Sequence, residues 1–599
     1  MLQATLNIYR DDPQKLARES AIALNRTVHA HTANATGGLS PVALSLAYGD
    51  WAMNLLTSPG THVWLAVTGQ QRAMEAMSAA LFDQPVDDAS SAPSSDPASV
   101  DSRFAANEWR QWPYRMFASG FMSWDRWCRD AARLPGMLPH HADMVGFFTG
   151  QMLDMLAPSN SALNPVVART VMMSGGQNLL NGTRHLLEDW RRLQDAKASE
   201  RQLEYLPGRD VAVTPGKVVY RNHLIELIQY APSTQEVHAE PLLIVPSWIM
   251  KYYILDLSPH NSMVRYLVSQ GHTVFIISWR NPDASDALLS MDDYLQMGVL
   301  DALAAIKRLI PDVDVHAAGY CLGGTLLAIA AAALSRPTRV QDADQLPALK
   351  TVSLLAAQVD FTEPGEMGVL IDPVQINWLE DLMAEKGYLS GRQMAGSFQF
   401  LHARELVWSR GVREYLMGER EHPNDLMAWN ADVTRMPATM HSEYLNSLFV
   451  RNELAESRYM VEGHAVSLMD LRMPLFAVGT EKDHVSPWQS VYKLHRLTET
   501  ELSFVLTSGG HNAGILSEPG HAHRSYRVHT SSADAAWLTP QDWLSVASRH
   551  EGSWWTQWHA WLAEHAKQMV PVSAPGRQID ELSALCDAPG KYVFVRHAD

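Results

Sequence analysis

The stretch VDVHAAGYCLGGTLLA, residues 313–328, decides the fold. Val313 to Ala318 reads as a buried strand. Gly319-Tyr320-Cys321-Leu322-Gly323 then has the form G-x-C-x-G, and the residues after it read as a helix. Strand, tight turn and helix in that order make a nucleophile elbow, a strained turn that lifts one reactive side chain clear of the sheet. Small residues two positions to either side let such a turn close, and here they are Gly319 and Gly323. The usual nucleophile is serine. A cysteine thiol is intrinsically more nucleophilic, and its thiolate is stabilised at a helix N-terminus or beside a histidine. Taken alone, Cys321 also reads as a small buried core thiol. The turn lacks G-x-G-x-x-G, which argues against a dinucleotide site.

Outward from the elbow, short apolar runs alternate with amphipathic helices. Leu242 to Val245, Thr273 to Ile277, Thr351 to Leu355, Pro474 to Val478 and Leu502 to Leu506 read as strands. Residues 291–310 read as a helix, with Leu295, Val299, Leu303, Ile306 and Leu309 on one face. That alternation implies a parallel sheet covered on both faces. The expected class is α/β: an α/β-hydrolase-fold catalytic domain over residues 211–599. Residues 361–470 break the alternation, are rich in Met, Trp and Leu, and sit where a cap insertion would. Residues 552–566 read as a last amphipathic helix.

The N-terminal part has a different grammar. Residues 40–83 read as two helical runs parted by Pro59-Gly60, inside an N-terminal extension of 1–84. Residues 85–103 are rich in Pro, Ser and Asp and read as a disordered linker. Residues 104–210 read as a helical domain, including a helix stopped by Pro158.

The fold places nucleophile, acid and base in that chain order. Asp483, in GTEKDH (479–484), follows an apolar strand and is the natural acid. His511, in SGGHN (508–512), follows the next strand and is the natural base. Asp360, after the strand that begins at Thr351, is the runner-up acid. His484 competes with His511, but its adjacency to Asp483 makes it an awkward partner. The joint order turns Cys321 from a core thiol into a nucleophile. The oxyanion hole then falls to the Leu322 amide and to an amide of Trp248 or Ile249, in the loop after the 242–245 strand.

Composition narrows the remaining choices. A chain of 599 residues is too long for one core. A net charge of −17 without a Lys/Arg block excludes nucleic acid as a partner. Three cysteines, Cys128, Cys321 and Cys586, argue against a disulfide framework, and no pair has zinc-ligand spacing. No metal or cofactor is expected. The first residues lack a secretory apolar run, and no stretch reaches the ~18 apolar residues of a spanning helix. The protein reads as cytoplasmic, without a transmembrane segment. Its 19 tryptophans are many; most are expected in cores and some facing an apolar partner surface.

Several long strings resemble the polyhydroxyalkanoate synthases, also called poly(3-hydroxyalkanoate) polymerases. They are GYCLGG (319–324), KYYILDLSPHNSMV (251–264), SWRNP (278–282), DLMAWNAD (425–432), GTEKDHVSPW (479–488) and HEGSWWTQWHAWL (550–562). LAPSNSALNP (156–165) and GGQNLLNG (175–182) add to them, and residues 40–60 are similar to the extension of the single-subunit, class I type. The resemblance spans residues 40 to 570. It implies that Cys321 attacks the thioester of an (R)-3-hydroxyacyl-coenzyme A and releases coenzyme A. A hydroxyl then takes the acyl group with help from His511 and Asp483. The implied product is a polyester that accumulates as cytoplasmic granules, with a homodimeric enzyme at their surface and granule-associated proteins nearby. Three positions depart from the family's strings: Met250 where asparagine is usual in W-I-N-K-Y-Y, His402 where arginine is usual, and Asn512 where the string runs H-I-A-G. The competing readings are a thioesterase or intracellular depolymerase of the same fold, in which water resolves the acyl-enzyme, and a granule-binding protein without activity.

Overall fold

The computed structural model describes residues 13–82, 101–194, 205–336, 346–401, 403–572 and 585–596. The linker reading of 85–103 lies outside them as far as residue 100, and so does His402. Residues 101–103 are not linker: Asp101 caps the short 3-10 turn Ser102–Phe104, and Arg103 reaches Asp154 at 2.8 Å.

The chain forms two compact units. The smaller comprises the described residues of Leu39–Gln202 and Gly396–His422; the larger comprises those of Met1–Gly38, Leu203–Ala395 and Pro423–Asp599. The extension and the cap interval are thus each divided between units. The first helix of the described residues, α1 (Pro13–Ala35), belongs to the larger one, because Ala30 and Ala33 pack on Trp378 and Leu382, and His29 bonds Asp381 at 2.7 Å.

The smaller unit is helical: α2 (Pro41–Thr57), α3 (Pro59–Phe82), α4 (Tyr114–Ala132), α5 (Pro139–Leu156), α6 (Pro165–Ser174) and α7 (Gln177–Gln194). Ser40 caps α2 and Pro41 starts it, a position where a missing N–H costs nothing. Phe104, Trp109, Phe121 and Leu153 make its aromatic core. Asp154 is one of the residues that tie the 396–422 segment to this unit: it accepts from both Arg103 and Arg404, the latter at 2.9 Å. Asn178 adds a bond to the Leu416 carbonyl at 2.7 Å.

The larger unit is built on an eleven-stranded sheet. In chain order its strands are β1 (Gly216–Arg221), β2 (Ile225–Tyr230), β3 (Leu242–Val245), β4 (Val274–Trp279), β5 (Val315–Tyr320), β6 (Leu349–Leu355), β7 (Leu475–Thr480), β8 (Leu502–Thr507), β9 (Ser525–Ser531), β10 (Ser548–Glu551) and β11 (Cys586–Asp587). Across the sheet they run β10-β9-β8-β7-β6-β5-β3-β4-β2-β1-β11. The six central strands, β4 to β8 in that row, are parallel. The outer strands on both sides are antiparallel, so the sheet is mixed rather than wholly parallel as expected. This is the α/β-hydrolase fold. The central strands are Val-, Leu- and Ile-rich and buried on both faces, as parallel strands under helices must be.

The helix expected over 291–310 contains a π-helical stretch, Tyr294–Leu300. The ring of Trp279 lies against Gly298 there, and a Cβ at Gly298 would stand 2.4 Å from it. Helix α8 (Leu322–Ser335) follows β5 and is buried along nearly its whole length. Helix α9 (Ala438–Tyr444) lies in the part of the cap interval that folds with this unit. Helix α10 (Trp555–His565) buries Trp555, Trp558 and Trp561.

Candidate active site

The turn between β5 and α8 carries Cys321 at φ 53°, a left-handed backbone that a side chain adopts only under strain. Neighbouring contacts enforce it. A Cβ on Gly319 would stand 2.4 Å from the Gly324 Cα, and one on Gly323 would stand 2.2 Å from the Val245 carbonyl oxygen. The two small residues singled out in the sequence are therefore required by close approach of backbone to backbone. The Cys321 amide donates to Leu355 O at 2.9 Å, which fixes the turn to β6. Cys321 is 9% exposed, recessed at the start of α8.

Asp483 and His511 follow β7 and β8, the next parallel strands, so both come to the same sheet end as Cys321. Asp483 is buried with all its oxygens used. Oδ1 accepts the amides of Val485 (2.9 Å) and Ser486 (2.7 Å), and Oδ2 accepts the Thr480 hydroxyl (3.0 Å). Oδ2 also lies 2.8 Å from His511 Nδ1. Burial alone would raise the Asp483 pKa. The His511 charge and the bonds from His511, Ser486 and Thr480 prevail and hold it below the usual carboxylate range.

His511 is half-buried; it bonds Asp483 and is electrostatically coupled to Cys321. With Nδ1 taken by the carboxylate, the contact to sulfur belongs to Nε2. Burial disfavours imidazolium, but the charges of Asp483 and Cys321 outweigh it and raise the His511 pKa well above the ordinary histidine value. The arrangement can accept a thiol proton at Nε2 and stabilise the resulting cation through Nδ1.

The other sequence candidates are placed elsewhere. Asp360 accepts from Thr362 (2.8 Å) and Asn452 (3.2 Å) and lies near Lys493. His484 is exposed and faces Glu366 at 3.8 Å. Leu322 is the first residue of α8, and among the described residues its amide donates to no backbone carbonyl. The Trp248 and Ile249 carbonyls accept the Thr434 hydroxyl and the Thr434 amide, so peptide planarity turns the Ile249 N–H away from Thr434. The loop is anchored further: Lys251 O accepts the Trp429 indole at 2.7 Å, and Lys251 Nζ donates to Val595 O at 2.8 Å.

Two tyrosines of this region were not singled out as site residues in the sequence. Tyr320 packs its ring 5.7 Å from that of His511. Tyr444, the last residue of α9, is buried, and burial first and then Cys321 push its pKa well above the usual tyrosine value. Only the elbow position of Tyr320 could have flagged it. Tyr444 lies far along the chain, in the cap interval.

Comparison with known proteins agrees with the strings noted above. The sequence model described as "Poly-beta-hydroxybutyrate polymerase (PhaC) N-terminus" matches residues 100–267. "Poly-beta-hydroxybutyrate polymerase N terminal" matches 19–61, and "alpha/beta hydrolase fold" matches 240–343. The chain is 38% identical over 506 residues to the poly(3-hydroxyalkanoate) polymerase of Methylorubrum extorquens, covering 84% of this chain and 82% of that one. It is 37% identical over 505 residues to the poly(3-hydroxyalkanoate) polymerase subunit PhaC of Rhizobium etli, covering 83% and 77%. The corresponding subunit of Cupriavidus necator is 36% identical over 503 residues, covering 82% and 83%.

Proposed function

The chain belongs to the poly(3-hydroxyalkanoate) polymerase family, and from that premise we propose that Cys321, His511 and Asp483 are the triad with which it makes polyester from (R)-3-hydroxyacyl-coenzyme A. As a member it is an acyltransferase and synthesises polyester. The observation that carries the finer reading is the convergence of three loops at one sheet end: Cys321 on a strained elbow at φ 53°, and His511 bonded to Asp483 at 2.8 Å and electrostatically coupled to Cys321.

The geometry supports the following roles. His511 Nε2 takes the Cys321 proton as sulfur attacks the thioester carbonyl. The Leu322 amide, with that of Trp248 or Ile249, holds the oxyanion. Collapse breaks the carbon–sulfur bond to coenzyme A, whose thiolate takes the proton from His511. The acyl group now sits on Cys321 as a thioester. A 3-hydroxyl of another unit or of the growing chain then gives its proton to His511 and attacks. An ester forms, and the Cys321 thiol is restored with that proton. Asp483 keeps Nδ1 protonated and the ring in place throughout. Every role falls to the chain's own groups; coenzyme A enters only as part of the substrate.

The site of action that fits this reading is the surface of a cytoplasmic polyester granule. Val63, Val67, Met74, Met77 and Leu81 are all exposed, and on α3 they fall within about 40° of one line down the helix. Trp112, Met172, Met173 and Trp190 are exposed on the same unit. Such apolar surface suits an insoluble polyester or granule-associated proteins. No helix of the described residues is long and apolar enough to cross a membrane. The homodimer implied by the resemblance completes the proposal.

The test is to supply purified protein with (R)-3-hydroxyacyl-coenzyme A of several chain lengths and identify the product. Coenzyme A release that keeps pace with an insoluble polyester supports the proposal. Release of free 3-hydroxy acid alone would mean that water, not a hydroxyl, resolves the acyl-enzyme.

A further inference from the structure

Two residues outside the triad join the nucleophile turn directly to the base loop. Tyr320 immediately precedes Cys321, and Asn512 immediately follows His511. The Tyr320 hydroxyl donates to Asn512 Oδ1 at 2.6 Å. Tyr320 is 2% exposed, and its ring lies beside that of His511 at 32° between planes.

Asn512 is fixed on its other side as well. Its carbonyl accepts the amides of Ile515 (3.1 Å) and Leu516 (3.0 Å), which closes the turn after His511. Two tryptophans then pin that turn to α10: Trp554 Nε1 donates to Gly514 O at 3.0 Å and Trp555 Nε1 to Ile515 O at 2.8 Å. The base loop is thus held firmly behind His511. In front of it, the Tyr320–Asn512 bond ties the loop to β5 independently of the Cys321–His511 contact.

From this geometry we infer that Tyr320 and Asn512 form a latch that sets the distance and angle between the Cys321 sulfur and His511 Nε2. They are positioning residues and act through His511. Burial, reinforced by the charges of Cys321 and Asp483, keeps the phenol neutral and therefore a donor. An apolar side chain at position 512 could not accept the bond.

The inference rests on Cys321 and His511 acting together as proposed, and the experiment separates the two. Coenzyme A release is measured on Tyr320→Phe, Asn512→Ile, the double variant and Cys321→Ala, with kcat and KM resolved. Tyr320→Phe removes one hydroxyl at constant shape. Losing a buried hydrogen bond that aligns reacting groups lowers kcat about tenfold and leaves KM unchanged. Residues acting as one unit give a double variant no slower than the worse single one, because the second change removes nothing further. A wild-type kcat in Tyr320→Phe, or two losses that multiply, overturns the latch. If Tyr320→Phe does not fold, Asn512→Ala carries the same test. Substantial release by Cys321→Ala would overturn the triad itself; an inactive Cys321→Ala beside a fully active Tyr320→Phe would sink the latch alone.

Discussion

Oδ2 of Asp483 lies 2.8 Å from Nδ1 of His511, and the two groups shift each other's proton affinity in opposite directions. The carboxylate raises the imidazole, and the imidazole lowers the carboxylate. Asp483→Asn removes the negative charge and the fixed tautomer together. The maximum rate of coenzyme A release is expected to fall about 10²–10⁴-fold. His511 then loses its proton at lower pH, so the acid limb of the kcat/KM profile moves to lower pH. A profile taken from pH 5 to 9 checks both; an acid limb that stays in place would show that Asp483 does not govern His511.

Much of this site was legible because its residues obey order and burial together. β3 to β8 are largely buried and read as short, mainly apolar runs, so all six were found, with ends exact or shifted by one or two residues. β2 was missed although it is just as buried, because Glu226 and Gln229 interrupt its pattern. Glu226 is buried because it is fully partnered: Arg221 donates to Oε1 at 2.7 Å, and Oε2 accepts the amides of Lys591 and Tyr592, 365 and 366 residues away. No local pattern shows that. β9 and β10 carry Arg, His, Ser and Glu near the sheet edge, which is how exposed edges are kept from pairing. The triad candidates stood out as loops after apolar strands. Tyr444 and Asn512 did not, because what they do depends on tertiary neighbours.

A histidine cluster should make stability depend on acid. His272 Nε2 lies 3.0 Å from His559 Nδ1, and the His238 ring stacks on His272 at 4.6 Å. Burial first, and then the neighbouring histidines, push the His272 pKa well below the usual value; burial also lowers His238 and His559. The sign follows from linkage. A base depressed in the folded state leaves the unfolded chain binding more protons, so stability is lost as pH falls below about 6.5. Melting temperature is expected to drop from pH 7 to pH 5, and His272→Leu should flatten that slope even if it lowers the value at pH 7. An unchanged slope would remove the cluster from the account.

Lys251 gives the opposite window. Its ammonium is buried and donates to the carbonyls of Val595 and Tyr592, and burial brings its pKa down to about 8. The unfolded chain keeps that proton to about pH 10.4, so stability gains as pH rises from 8 toward 10.4. Lys251→Met should lose this gain. Thermal scans of both proteins across pH 7.5 to 10 read the difference, and parallel curves would refute it. The same variant frees the loop that presents Trp248 and Ile249, so its coenzyme A release should also fall.

The central claim is that Cys321 carries the acyl chain, and one measurement addresses it directly. The protein is mixed with (R)-3-hydroxybutyryl-coenzyme A, quenched in acid within the first turnover, digested and read by mass spectrometry. The account predicts a hydroxybutyryl or oligomeric adduct on the peptide containing Cys321, removable by hydroxylamine and absent from Cys321→Ala, which also releases no coenzyme A. An adduct on another residue, or continued release by Cys321→Ala without any adduct at position 321, would contradict it.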